Sequence, residues 1–233
     1  MSTFLHERHG ARLADEALIG ALLTDVACGH YPPADGGVTI LPQPSRRDAG
    51  VLSFTAHAVV FTDADPDWVR AQLLPGNLSA PMSAGFLHAL ATATGRLAGS
   101  IDLLTVTESL PGPPPVELRP EPASTHSRVL RALNYRDEVR TWRADGGLVL
   151  LGRGVAGRLE TAIEVDEGRR GQGLGRRLAI AARHLAPPQT ALWAQVAPGN
   201  AASVRAFLAA GFVPVGAEVL LAANPAKDNA SGH

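Results

Sequence analysis

The stretch Val165-Asp166-Glu167-Gly168-Arg169-Arg170-Gly171-Gln172-Gly173-Leu174-Gly175 decides how this chain is read. Before it, Leu159–Val165 reads as a strand. After it, with no gap, Gly175–Leu185 reads as a helix with Leu178, Ala181, Ala182 and Leu185 on one face and Arg176, Arg177, Arg183 and His184 away from it. A glycine-spaced loop between a strand and a helix makes an anion site. Successive backbone N–H groups point out of the loop, the helix N-terminus adds partial positive charge, and the glycines admit a phosphate closely. Arg170, Arg176 and Arg177 add charge-assisted contacts, so a diphosphate is the natural ligand.

Three phosphate-binding patterns compete for this chain. The Walker loop needs a lysine after its second glycine, and the only lysine is Lys227, in the polar tail. The dinucleotide fingerprint occurs as Gly152-Arg153-Gly154-Val155-Ala156-Gly157, but a strand follows it rather than a helix, so these glycines read as a bend between neighbouring strands. The third pattern, Arg/Gln-x-x-Gly-x-Gly/Ala between a strand and a helix, fits Arg170–Gly175 at every position.

Further out, Glu138–Arg143, the turn Asp145-Gly146 and Leu148–Leu151 read as a hairpin. Ala191–Val196 is a strand centred on Trp193. Asn200 caps a helix that runs to Ala210 and stops at Gly211, with Val204, Phe207 and Leu208 facing inward, and Phe212–Leu221 is β-like. The prolines of Pro111–Pro122 read as the connection between an N-terminal part, residues 1–125, and a C-terminal part, residues 126–225, followed by a frayed tail, 226–233. In the N-terminal part, helices are expected over Asp15–Cys28 (Leu18, Leu22 and Val26 inward), Asp65–Leu74 and Pro81–Ala98. Strands are expected over Val38–Leu41, Val51–Thr62 and Ile101–Thr107. That part carries no catalytic motif.

The loop, joined by the strand Ala191–Val196 to Asn200-Ala201-Ala202-Ser203, Phe207 and Gly211-Phe212, resembles the two coenzyme motifs of the GNAT acyltransferase superfamily. The resemblance covers about 90 residues. It implies an α/β (α+β) fold in which helices flank a mixed central sheet. With its uninformative first half, the whole chain is similar to glycine-N-acyltransferase-like proteins, which implies a second GNAT-like or degenerate α/β half in front.

The resemblance also implies a mechanism. The pantetheine arm of acetyl-CoA, the co-substrate, lies where the strand ending at Val165 splays from Ala191–Val196, paired with backbone groups of Ile163 and Val165. An N–H near Val165 polarises the thioester carbonyl. Arg170, Gly171, Gln172, Gly173, Leu174, Gly175 and Arg176 hold the diphosphate, and Asn200, with Ser203 and Phe207 of the second motif, lies near the pantetheine or the outgoing sulfur. The reaction expected is attack by a neutral primary amine on the thioester, assisted by a general base. Glu160 and Glu164 are the candidates; simple alternation puts both on one strand face, opposite Thr161, Ile163 and Val165. Phe207 stands where many members carry a tyrosine that protonates the thiolate, and phenylalanine donates no proton. The acceptor pocket is expected between the halves, with Tyr31, Trp68, Tyr135 and Trp142 as lining residues or as core. A non-catalytic acyl-CoA sensor and a peptide N-terminal acetyltransferase are the rival readings.

Composition narrows the partners. Over 233 residues the chain is 45% hydrophobic and 18% charged, with a formal net charge of −1, so no field draws it to nucleic acid or an anionic membrane. No run approaches ~18 apolar residues, and the N-terminus lacks the apolar core of a signal peptide, so a cytoplasmic protein, monomer or homodimer, is expected. Cys28 is the only cysteine, which excludes an intramolecular disulfide and a thiolate cluster, and it reads as a buried small hydrophobe. No metal is expected.

Overall fold

The computed structural model describes residues 18–74, 76–122 and 126–223. These form two compact units, one of residues 1–102 and 216–233 and one of Leu103–Val215. The polar tail with Lys227 and the first turn expected at Asp15 lie outside the described residues.

The first unit starts with a helix, α1, over residues 18–27. Its inward stripe is Ile19, Leu23 and Val26, each at most 2% exposed, while Leu18 is 50% exposed, so the expected stripe holds at Val26 and is displaced by one residue at Leu18 and Leu22. Cys28 falls just beyond the helix and is exposed, not buried. Strands β1 (Val38–Leu41), β2 (Gly50–Phe54) and β3 (His57–Phe61) follow, with the expected single strand broken into a β2–β3 hairpin. Helix α2 (Pro66–Ala71) begins as expected: the Asp65 carboxylate accepts from the N–H groups of Asp67 and Trp68, and Pro66 occupies the first turn. The expected helix Pro81–Ala98 is shorter than its pattern. A 3-10 turn (Ala80–Met82) precedes α3 (Ala84–Thr94), which Gly95 ends in the left-handed region at φ 67°, and β4 (Arg96–Ala98) follows. β1 pairs parallel with β3, β2 pairs antiparallel with β3 and with residues 217–220 of β11 (Val213–Ala223), and β4 pairs with residues 221–223. Val51, Val60, Val69, Phe86, Leu90 and Val219 form the core, with Trp68 packed against it.

The second unit carries the strand order β5-β10-β9-β8-β7-β6. Here β5 is Asp102–Glu108, β6 Arg119–Glu121, β7 Asp137–Ala144, β8 Gly147–Arg153, β9 Leu159–Val165 and β10 Ala191–Val196. Among its described residues only β9 and β10 pair parallel, and the chain crosses between them through α5 (Leu174–Leu185). Helix α5 and α6 (Ala201–Ala209) cover one sheet face through Leu174, Leu178, Ala182 and Phe207 against Val149, Leu151, Leu192 and Ala194. Helix α4 (Ser127–Leu133) covers the other, where Ala132 meets Leu148, Leu150 and Ala162.

Sequence periodicity misses α4 and β6. Helix α4 has seven residues and is capped by His126 Nδ1, which accepts from the Arg128 N–H, a residue outside the usual capping set. Strand β6 holds Pro120, tolerated because β6 is an edge strand. The run Pro111–Pro122, expected as a connection, lies within the second unit, with Val116 and Leu118 packed against its core. The Gly152–Gly157 pattern is the bend expected of it: a 3-10 turn, Val155–Gly157, between the antiparallel strands β8 and β9.

Candidate functional site

The site grows out of one interruption in the sheet. Strands β9 and β10 share two register pairs, Leu192 with Leu159 and Trp193 with Glu160, and pairing stops there. Each strand continues on its other side: β9 stays paired with β8 as far as Val165, and β10 with β5 as far as Val196. The two strands therefore open toward the glycine loop.

Ladder parity fixes what lines the opening. Asp166 N–H donates to Gly146 O at 2.9 Å and Gly154 N–H to Arg158 O at 3.0 Å, both in register with β8–β9. Residues of an antiparallel ladder alternate between hydrogen-bonded and non-hydrogen-bonded pairs, so Glu160, Ala162 and Glu164 turn their backbone groups to β8. Thr161, Ile163 and Val165 turn theirs to the opening. On the opposite strand, Ser109 N–H donates to Thr190 O at 3.1 Å, so Leu192, Ala194 and Val196 face β5, and the backbone of Gln195 faces the opening. Val165 O accepts a long contact from Arg170 Nε, at 3.4 Å. The result is a slot with strand-like donors and acceptors on its walls.

The glycine loop stands at the end of this slot. Gly171 and Gly173 have φ of 75° and 76°, and no atom lies within 4 Å of where a Cβ would sit on either. Gly173 is the N-cap of α5 and offers no side chain, which leaves the first N–H groups of a 12-residue helix without a side-chain cap. Arg170 and Arg176 are exposed, as is Gln172, whose Nε2 contacts Gly168 O at 3.4 Å. Gly175 lies against Ala206 and Val165, where a Cβ would make ordinary van der Waals contact at 3.5 and 3.6 Å. Leu174 is 4% exposed and anchors the loop in the core.

The second motif divides into two roles. Asn200 Oδ1 accepts from Ser203 N–H at 3.1 Å and caps α6, as expected of it. Phe207 is 4% exposed and stacks edge-on against Phe212 with ring centroids 4.9 Å apart, so its ring is a core element.

Glu160 and Glu164 share the α4 face of β9, and the β8–β9 register runs unbroken from Gly147 to Arg153, without a bulge. Their surroundings differ sharply. Glu160 is 2% exposed, and its carboxylate lies 2.6 Å from Arg136 Nε and 2.7 Å from Arg158 Nε. Burial pushes its pKa up, but Arg158 and Arg136 outweigh that by charge and hydrogen bonding and bring it down to about 2. A buried carboxylate closed by two guanidinium groups is poorly placed to take up a proton near neutral pH, which counts against Glu160 as the base. Sequence reasoning missed this network because Arg136 lies 24 residues away. Arg136 also donates to Gln195 Oε1 at 3.0 Å, and Arg158 stacks on Trp193 at 5.4 Å. Glu164 is half-buried, with Arg128 Nε 3.0 Å from Oε2 and His126 Nε2 4.0 Å from Oε1. Of the aromatic residues, Trp142 packs against the core with Arg140 over its ring, Tyr31 is exposed beside Phe54, and Tyr135 is half-buried. His184 Nδ1 meets Gly112 O at 3.0 Å, bracing α5 against the proline run.

A mixed sheet whose parallel pair opens beside a glycine loop at a helix N-terminus defines an α/β domain with an anion-accepting loop. Residues 141–212 match the family model of the Acetyltransferase (GNAT) family, which makes this segment a GNAT domain. No curated protein matches the chain. Among solved structures it is similar to a GCN5-related N-acetyltransferase from Kribbella flavida, at 17% identity and TM-score 0.37, over 61% of this chain and 66% of that one. It is also similar to a tandem GNAT protein from the clavulanic acid biosynthesis pathway, without AcCoA, at 15% identity and TM-score 0.36, over 66% of this chain and 62% of that one. Among the described residues no helix is long and apolar enough to cross a membrane, and no group of His, Cys, Asp and Glu side chains could hold a metal ion.

Proposed function

We propose that the chain is an acyl-CoA-dependent N-acyltransferase that moves acetyl from acetyl-CoA to a primary amine of a small or amino-acid-like acceptor, by direct attack in a ternary complex. The observation that carries this reading is the slot between β9 and β10, opening onto Gly171 and Gly173. Acetyl-CoA has the matching shape and chemistry: a diphosphate for the loop and a chain of amides for the slot walls. Ile163 and Val165 bond the pantetheine amides as an added strand would. The Val165 N–H, directed at the slot, polarises the thioester carbonyl and takes up the charge of the tetrahedral intermediate.

Because α5 and α6 cover the face nearest the diphosphate loop, the amine approaches from the face that carries Glu164. Glu164, in contrast to Glu160, has its side chain about a quarter exposed, at 28%. It takes the ammonium proton, directly or through water, and the freed amine attacks the carbonyl carbon. The nitrogen gives up its second proton to water as the C–S bond breaks, and coenzyme A leaves as thiolate, which takes a proton from water in turn. Phe207 gives no proton to this step; the thiolate is a tolerable leaving group at neutral pH.

Thiol release from acetyl-CoA, followed with a panel of small amines and amino acids, tests the reading. Acceptor-dependent release that Glu164→Gln lowers about 100-fold or more supports it. Binding of acetyl-CoA with no release across the panel would favour an acyl-CoA sensor.

A further inference from the structure

The proline run left without a role by the sequence builds one wall of a cavity. Pro115, Val116, Glu117 and Arg119 close it from one side, the β7–β8 turn (Arg143, Ala144, Asp145) from a second, and Arg169, Leu174 and Arg177 from a third. Its volume is about 500 Å³, within the range of small-ligand sites. The run is held there by three ties: Val116 and Leu118 pack on the core, Gly112 O meets His184, and Glu121 pairs across β6–β7 with Thr141.

The lining has a chemical bias. Four arginines face two acids, Glu117 and Asp145, and the remaining wall is apolar: Pro115, Val116, Ala144 and Leu174. Three arginines are braced by carboxylates: Arg119 by Glu117 at 2.9 Å, Arg169 by Asp145 at 3.1 Å, and Arg143 by Glu121 and Asp166 at 3.5 and 3.6 Å. Arg177 is exposed and has no ion-pair partner among the described residues. A guanidinium cluster with an apolar wall suits a nucleoside phosphate monoester, with the phosphate on the arginines and the flat base against the apolar side chains.

The cavity adjoins the glycine loop, since Arg169 immediately precedes the loop and Leu174 belongs to it. We propose that the cavity receives the 3′-phosphorylated adenosine end of coenzyme A, with Arg177 and Arg119 as the groups that recognise the 3′-phosphate. This rests on the acyl-CoA reading above and deepens it: the enzyme would select coenzyme A over its dephospho form. It also assigns Arg177 to the 3′-phosphate rather than to the diphosphate.

Calorimetric titration of the full chain with coenzyme A and with dephospho-coenzyme A tests this. The wild type is expected to bind coenzyme A about tenfold more tightly, the size of one charge-assisted hydrogen bond. In Arg177→Gln and Arg119→Gln that ratio is expected to fall toward one, while Arg131→Gln, on α4 outside the cavity, keeps it. A ratio near one in the wild type, or one that neither cavity variant changes, would overturn the proposal. So would adenosine 3′,5′-bisphosphate binding alongside coenzyme A without competing, since the cavity would then be a separate nucleotide site. If dephospho-coenzyme A binds and the ratio is flat, only the cavity assignment fails. If neither compound binds, the acyl-CoA reading fails with it.

Discussion

Glu160 and Arg158, two residues apart on the chain, bury their charges against each other, with Nε to Oε1 at 2.7 Å and side chains 2% and 3% exposed respectively. Arg136 closes the carboxylate's other oxygen at 2.6 Å. The pair lies where β9 and β10 last touch, so the same network that counts against Glu160 as the base holds the apex from which the strands open. Removing Arg158 leaves the buried carboxylate with Arg136 alone and its Oε1 without a donor. Arg158→Met is therefore expected to cost about 3–5 kcal/mol in chemical denaturation. A loss below about 1 kcal/mol would mean that the network is solvated.

The same network sets an acid limit on stability. The folded pKa of Glu160, about 2, lies below its ordinary value of 4.5, so the contribution is fully present above pH 4.5 and is lost as pH falls from there toward 2. Urea unfolding between pH 6 and 3 is expected to show stability falling with acid in the wild type and a shallower dependence in Glu160→Gln. Parallel curves would contradict this.

Gly154 faces that carboxylate at no distance to spare: a Cβ added there would collide with both oxygens of Glu160. Gly154→Ala is expected to destabilise by about 1–3 kcal/mol, as overpacking does. Gly168→Ala, whose Cβ would meet nothing within 4 Å, serves as its near-neutral counterpart. Equal melting temperatures for the two variants would contradict the packing described.

Much of the second unit was legible because its elements are long and punctuated. Strand β9 has the expected bounds, α5 starts one residue early, and Asn200 caps α6 as its residue type suggests. Elements held by tertiary contact left no local trace. Helix α4 is one short amphipathic stretch under a histidine cap, and β6 is a proline-bearing edge that exists because β7 pairs with it. The site was legible to the same degree. Glycine spacing found the loop, and the opening between β9 and β10 was expected only from the family resemblance. The fate of Glu160 depended on Arg136, which no spacing rule connects to it. Phe207 shows the opposite limit: its motif position suggested the sulfur, and its apolar ring followed the core.

Asn200 separates capping from coenzyme contact. Losing its bond to the Ser203 N–H is expected to cost about 1 kcal/mol in Asn200→Ala, and Asn200→Ser or Asp should restore most of that. If Asn200 also touches the coenzyme, the KM for acetyl-CoA rises in Asn200→Ser even though stability returns. Full recovery of both would limit Asn200 to its cap.

The central claim is that the loop from Arg170 to Gly175 holds the diphosphate of acetyl-CoA, and ligand-induced thermal stabilisation tests it most directly. Acetyl-CoA at about 100 times its Kd contributes about 2.7 kcal/mol, which for a chain of this size raises Tm by roughly 5–10 °C. Gly173→Asp places a negative side chain into the open space at φ 76°. Its unliganded Tm is expected to fall somewhat from backbone strain, so the quantity read is the shift on adding ligand. The account predicts a clear shift for the wild type and little or none for Gly173→Asp and Arg170→Glu. No shift in the wild type, or equal shifts in all three proteins, would contradict it.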